Sequence, residues 1–220
     1  MSPQAAVAAY SKGEEIAHLL SHGLGLLLSI AGLWVLASAA SARGDALDVV
    51  ACSVFGASLV LLYAASTLYH GIPVPRARWI FQKLDHCAIY VLIAGTYTPF
   101  ALGTLRGGPG WTLFAGVWAL AILGVGSIVL SRPVARRGSL VLYLGMGWIV
   151  LFVLPSLIAS IAPAGLGLLV AGGLTYSAGV LFYVWRRLPY NHAIWHLFVL
   201  GGSALHFCAV LYYVIPAQTL

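Results

Sequence analysis

Seven apolar runs, each close to the ~20 residues that carry a helix across the hydrocarbon core of a bilayer, constrain this chain more than any other feature. They are Ile16–Ala40, Val49–Tyr69, Cys87–Leu105, Trp111–Leu130, Leu140–Ile161, Gly165–Trp185 and Ala193–Ile215. Lipid offers the backbone no hydrogen bonds, so a spanning segment must satisfy its own N–H and C=O groups, which a single helix does. The expected fold is all-α: a polytopic integral membrane protein built as a seven-transmembrane helix bundle. Charge supports this, since 7% of the residues are Asp, Glu, Lys or Arg against about 25% in a soluble domain.

The connectors are short and carry turn residues: Arg43-Gly44-Asp45, Pro73-Val74-Pro75, Gly107-Gly108-Pro109-Gly110, Arg132-Pro133, Pro163-Ala164-Gly165 and Leu188-Pro189. Residues 1–13 read as a short polar N-terminal segment, and 14–220 as a single transmembrane domain. The first run ends in ASAASA, which resembles a signal-peptidase site. Before the run, however, Glu14 and Glu15 outnumber Lys12, and the run exceeds the ~7–15 residues of a signal-peptide core, so the span is expected to be retained. With the N-terminus inside, nine of the eleven Lys and Arg residues fall in inside segments, and only Arg43 and Arg106 fall outside. The N-terminus is therefore expected to be cytoplasmic and the C-terminus outside, in a plasma or inner cell membrane. Trp79, Trp111 and Trp185 stand at span ends, where interfacial aromatics belong. The net charge of +6 follows from this topology. No basic stripe interleaves with exposed aromatics, so nucleic acid is not an expected partner, whereas membrane lipids are. Cys52, Cys87 and Cys208 lie in apolar runs without a C-x-x-C pair and read as small buried hydrophobes.

On this topology six of the seven histidines share one layer of the bilayer, the cytoplasmic one. His192 and His196 are four residues apart, on one helix face and one turn apart. This is the histidine spacing of the HExxH motif, with Ala193 where the glutamate would stand. His70, at the end of span two, adds a third imidazole. Three protein nitrogens with an open fourth position make a catalytic zinc site, where bound water ionises at about pH 7. Asp85, leading into span three, is then the general base or an acceptor orienting a histidine. Ser66 lies one turn before His70, on its face. The competing reading is a water-filled vestibule or a proton relay of His, Asp and Glu, as in transporters. Glu15, His18 and His22 fall near one face of span one. They either support the site from behind or simply begin an interfacial helix. His86 reads as interfacial. His206, about 15 Å deeper than His196, is expected to bond another helix. Thr96 to Pro99 and Pro155 suggest kinks re-satisfied by hydroxyls.

Glu15-x-x-His18-x-x-x-His22, Ser66-Thr67-Leu68-Tyr69-His70, Lys83-Leu84-Asp85-His86 and His192-Ala-Ile-Trp-His196 followed by His206 together resemble the hemolysin III family, the bacterial branch of the progestin and adipoQ receptor superfamily. The resemblance runs from about Glu14 to the C-terminus. It implies seven helices, an inside N-terminus and a zinc ion near the cytoplasmic face. It implies His70, His192 and His196 as ligands, with Asp85 holding a water on the metal and Ser66 nearby. Alkaline ceramidases, which hydrolyse lipid amides, belong to the wider grouping. His18 departs from the resemblance, since many members of the superfamily have Asn there. Three functions follow as expectations: a zinc-dependent intramembrane hydrolase of lipid amides or esters, with Asp85 and Ser66 as its catalytic residues; a non-catalytic regulator of membrane homeostasis with a structural zinc; and, last, the cytolytic pore that the family name suggests.

Overall fold

A computed structural model describes residues 10–130 and 136–215. Most of the polar N-terminal segment and the Arg132-Pro133 turn lie outside the described residues. Among the described residues eight α-helices form seven spans: α1 Lys12–Arg43, α2 Ala46–Gly71, α3 Pro75–Pro99, α4 Gly108–Leu130, α5 Arg136–Gly147, α6 Leu154–Ser160, α7 Pro163–Val184 and α8 Asn191–Ala209. The fifth span is broken. It consists of α5, a 3₁₀ segment Ile149–Val153 and α6, with Pro155 in the first turn of α6, where a missing N–H costs no bond. Two further spans end in π-helical turns, Phe100–Thr104 after α3 and Val210–Val214 after α8. The first of these follows Pro99, near one end of the span. Thr96 and Thr98 donate their hydroxyls to the carbonyls of Leu92 and Ala94, 2.8 Å away in each case.

The helices pack in the order α4–α3–α2–α1–α8–α7, with α5 against α3 and α4 and α6 against α7. Close approach is made by glycines. A Cβ on Gly25 would stand 2.6 Å from the Tyr63 ring, and one on Gly124 2.4 Å from Tyr90, so these helices touch backbone to ring. Outward faces are apolar. Leu20, Leu27 and Trp34 of α1 and Ile122 of α4 are about two-thirds exposed or more, as a lipid-facing surface requires. Cys52 is buried and Cys87 and Cys208 half-buried, all as free thiols.

Helix starts and stops are locally encoded. Ser11 caps α1 in a capping box with Glu14, and Asp45 caps α2 in one with Asp48. Helix α1 thus begins at Lys12, inside the stretch read as the polar lead. The other boundary difference matters more for the site. The third helix begins at Pro75, well before its apolar run, so Asp85 lies ten residues, about 15 Å, along the helix rather than at its entrance.

Candidate metal centre

The site is assembled at one end of the bundle, where α1 begins, α2 ends, α3 passes its third turn and α8 begins. Helical spacing explains the local arrangement. Glu15, His18 and His22 project from one side of α1, and Ser66 and His70 from one side of α2. The start of α8 is tied down unusually. Tyr190 has φ 57, a left-handed conformation for a non-glycine residue, and its backbone N–H donates to Glu14 Oε1 at 3.2 Å. This contact pins the turn that launches His192 and His196 to the start of α1.

Five histidines converge here. His18 and His196 are 0% and 1% exposed, His22 and His70 only slightly more, and His192 is half-buried. One nitrogen from each of His70, His192 and His196 lies within 4.8 Å of the others, a group able to hold a metal ion. Glu15, His18 and His70 make a second such group, sharing His70.

Neighbours orient the imidazoles. His70 Nδ1 lies 2.7 Å from Glu15 Oε2. A carboxylate only accepts, so Nδ1 donates and Nε2 presents its lone pair. Glu15 is held in turn by the Arg78 guanidinium. Ser21 Oγ lies 3.0 Å from His196 Nδ1, which likewise leaves Nε2 for a ligand. A fixed outer nitrogen with a free inner one is how metal-binding histidines are held. Tyr10 covers the cluster, with its ring 4.7 Å from His18 and stacked 5.5 Å from His192. Among the described residues, four imidazole nitrogens of this cluster are buried without a hydrogen-bond partner: both of His18, Nε2 of His22 and Nε2 of His70. Buried polar atoms are seldom left so, and their convergence fits a missing cation.

Ser66 and Asp85 join the cluster in a different way from that read in the sequence. Ser66 Oγ bonds His22 Nδ1 at 2.7 Å, and Asp85 lies near it. Asp85 is 8% exposed. His22, stacked on His196 with ring centroids 3.4 Å apart, thereby links α1 to the Ser66–Asp85 pair. His86 Nδ1 donates to the Gln82 carbonyl at 2.8 Å. His206 departs from the expectation that it bonds another helix. Its Nδ1 bonds the Gly202 carbonyl of its own helix at 2.7 Å, while the ring packs against Gly172 and Tyr176 of α7. The roles of Ser21 and Arg78 were invisible in the sequence. Their partners are 175 and 63 residues away, and no local signal marks such contacts.

Two cavities meet at the cluster. A polar one of about 460 Å³ is lined by Glu14, Gln82, Arg186, Arg187 and Asn191. An apolar one of about 210 Å³ runs between α3, α5, α7 and α8, lined by residues such as Leu92, Phe100, Leu144 and Val199. Asp85, His86 and His192 line both.

Fold and site together define a class: a seven-helix membrane protein with a buried His/Glu cluster, able to hold a metal ion, at one end of its bundle. Residues 10–207 match the family model described as Haemolysin-III related. Over 209 residues, 94% of each chain, the sequence is 50% identical to Hemolysin-3 of Bacillus cereus. It is 48% identical over 210 residues to the Hemolysin-3 homolog of Bacillus subtilis, covering 94% of this chain and 97% of that one. Identity is 32% over 160 residues, 61% of this chain and 68% of the other, with the heptahelical transmembrane protein ADIPOR2 of Oryza sativa subsp. japonica. The chain belongs to the hemolysin III family, the bacterial branch of the progestin and adipoQ receptor superfamily, and is a multi-pass membrane protein.

Proposed function

We propose that the centre binds zinc through His70, His192 and His196 and that the protein hydrolyses an amide or ester bond of a membrane lipid. The observation that carries this reading is the meeting of the two cavities. Asp85 and His192 face a polar cavity that can supply water and an apolar one that suits an acyl chain. Nitrogen ligands from two helices fit zinc, and Glu15 and Ser21 hold two of the rings in the orientation a metal needs.

When bound, zinc would supply a Lewis acid that polarises a carbonyl and lets water ionise near neutral pH. The chain's own residues do the rest. Asp85, buried beside the Ser66 hydroxyl, takes the proton released by the attacking water and returns it to the leaving amine or alcohol. Ser66, fixed by His22, donates to the substrate carbonyl or to Asp85. The apolar cavity excludes water from the acyl chain and places its carbonyl at the histidines. With nine of eleven basic residues on that side, the histidine end is cytoplasmic, so the scissile bond lies just beneath the inner headgroups. An apolar lining does not suit an ion path, and no pore is proposed.

The test is metal content and lipid turnover of the detergent-purified protein, His196→Ala and Asp85→Asn. The expected result is about one zinc per chain in the parent, little in His196→Ala, and zinc without turnover in Asp85→Asn. Undiminished turnover in zinc-free protein would overturn the hydrolase reading. Loss of zinc in Asp85→Asn would instead point to direct coordination and to a zinc that only ties helices together, in a regulator of membrane homeostasis.

A further inference from the structure

His18 has no part in the three-histidine set, yet it is the most enclosed residue of the cluster. Its side chain is fully buried, and neither ring nitrogen has a hydrogen-bond partner among the described residues. Nδ1 stands 3.7 Å from Glu15 Oε2, beyond hydrogen-bond length, while that oxygen serves His70. An imidazole walled off from water in this way is costly unless something else binds it.

The ring positions identify that binding. For four imidazoles around one tetrahedral zinc, with Zn–N near 2.0–2.1 Å, each ring centroid stands about 3.2 Å from the ion and about 5 Å from every other centroid. From His18 the centroids of His70, His192 and His196 lie at 4.5, 4.9 and 5.3 Å. Among the other three the separations are 5.4 Å for His70–His192, 5.4 Å for His70–His196 and 4.6 Å for His192–His196. All six distances fall around the tetrahedral value. The fifth histidine does not fit: His22 stacks on His196 at 3.4 Å, and its Nδ1 is taken by Ser66.

We infer that His18 is a fourth imidazole ligand and that, without substrate, the metal is held by His18, His70, His192 and His196. One nitrogen of His18 groups with Glu15 and His70 and not with His192 and His196, so binding beside those two needs a turn of the ring about its Cβ–Cγ bond. No hydrogen bond opposes that turn. Glu15 keeps its place on His70 and Arg78, which leaves it an orienting group rather than a ligand. The inference rests on the three-histidine zinc reading but not on hydrolysis; if hydrolysis occurs, His18 must yield its position to water or substrate. A closed shell of four protein ligands otherwise marks a structural zinc.

Zinc K-edge X-ray absorption and zinc stoichiometry, on the full chain loaded with zinc in detergent, decide it for the parent, His18→Ala and His18→Gln. Helicity by circular dichroism checks folding, and His18→Gln preserves side-chain volume should the alanine variant misfold. The inference predicts one zinc per chain with four imidazoles in the parent and three imidazoles plus an oxygen in either variant. Three imidazoles and an oxygen in the parent, unchanged in both variants, would overturn it alone. So would two zinc ions per chain, which would place a separate cation at Glu15 and His18. A parent that takes up no zinc would overturn the three-histidine reading, and this inference with it.

Discussion

Two polar clusters sit at opposite ends of α1 and α2, and they differ in how completely they are satisfied. At the far end, Arg106 donates to Asp45 at 2.6 Å and to Asp48 at 2.7 Å, and Asp45 caps α2 through the backbone N–H groups of Leu47 and Asp48. The hydrogen bond from Arg106 pushes the Asp45 carboxyl down to about 2, while its two carboxylate partners hold the guanidinium above its usual range. Both carboxylates there face the Arg106 guanidinium, and the arrangement fastens the α1–α2 turn to the α3–α4 connection. At the histidine end, imidazoles crowd together with nitrogens left over. A complete polar network is structure, whereas a buried network with atoms to spare is built for something absent from the chain.

The contrast can be broken or sharpened by four measurements. The largest effect is expected from His70→Ala, which removes one of the three proposed ligands and the imidazole partner of Glu15. Zinc should fall from about one per chain to near none by elemental mass spectrometry, whereas Arg106→Ala should retain it. Equal zinc in both variants would erase the distinction. Next comes Glu15→Gln, which keeps the shape but weakens the acceptor on His70 and the pair with Arg78. Zinc affinity by chelator competition should drop about 10–100-fold, as for other groups that orient a ligand. Arg106→Ala strands the buried Asp48 and should cost roughly 1–3 kcal/mol in reversible unfolding at constant zinc. The smallest effect is that of pH on the far cluster. Asp45 is depressed in the folded chain, so its contribution is complete above its ordinary value near 4 and is lost as pH falls through about 2. A stability profile of the metal-free parent should therefore lose a small increment in that window that Asp45→Asn does not show. Salt should weaken the increment, because Asp45 is exposed.

Zinc K-edge work on His18 bears on the same contrast. Four imidazoles on one metal would turn the spare nitrogens of the histidine end into a second completed network, finished by an ion instead of an arginine.

The sequence by itself determined the seven spans, because hydropathy over ~20 residues is a sum of local terms that lipid enforces without reference to neighbours. It also determined, through its i, i+4 spacing, the shared face of His192 and His196. His70, Ser66 and Asp85 were chosen as companions by the cytoplasmic layer they share and by the family resemblance. Only the tertiary structure decided how these meet. That His18 stands among the other imidazoles rather than behind them depends on the packing of α1 against both α2 and α8. That Ser66 answers to His22, that Arg78 holds Glu15, and that Asp85 lies deep in α3 are likewise facts of packing. His206 makes the same point in reverse: its depth was readable, but its partner was its own helix. Periodicity fixes which face a residue takes, but the neighbour that the face meets is set by which helices pack together, and a single helix does not encode that.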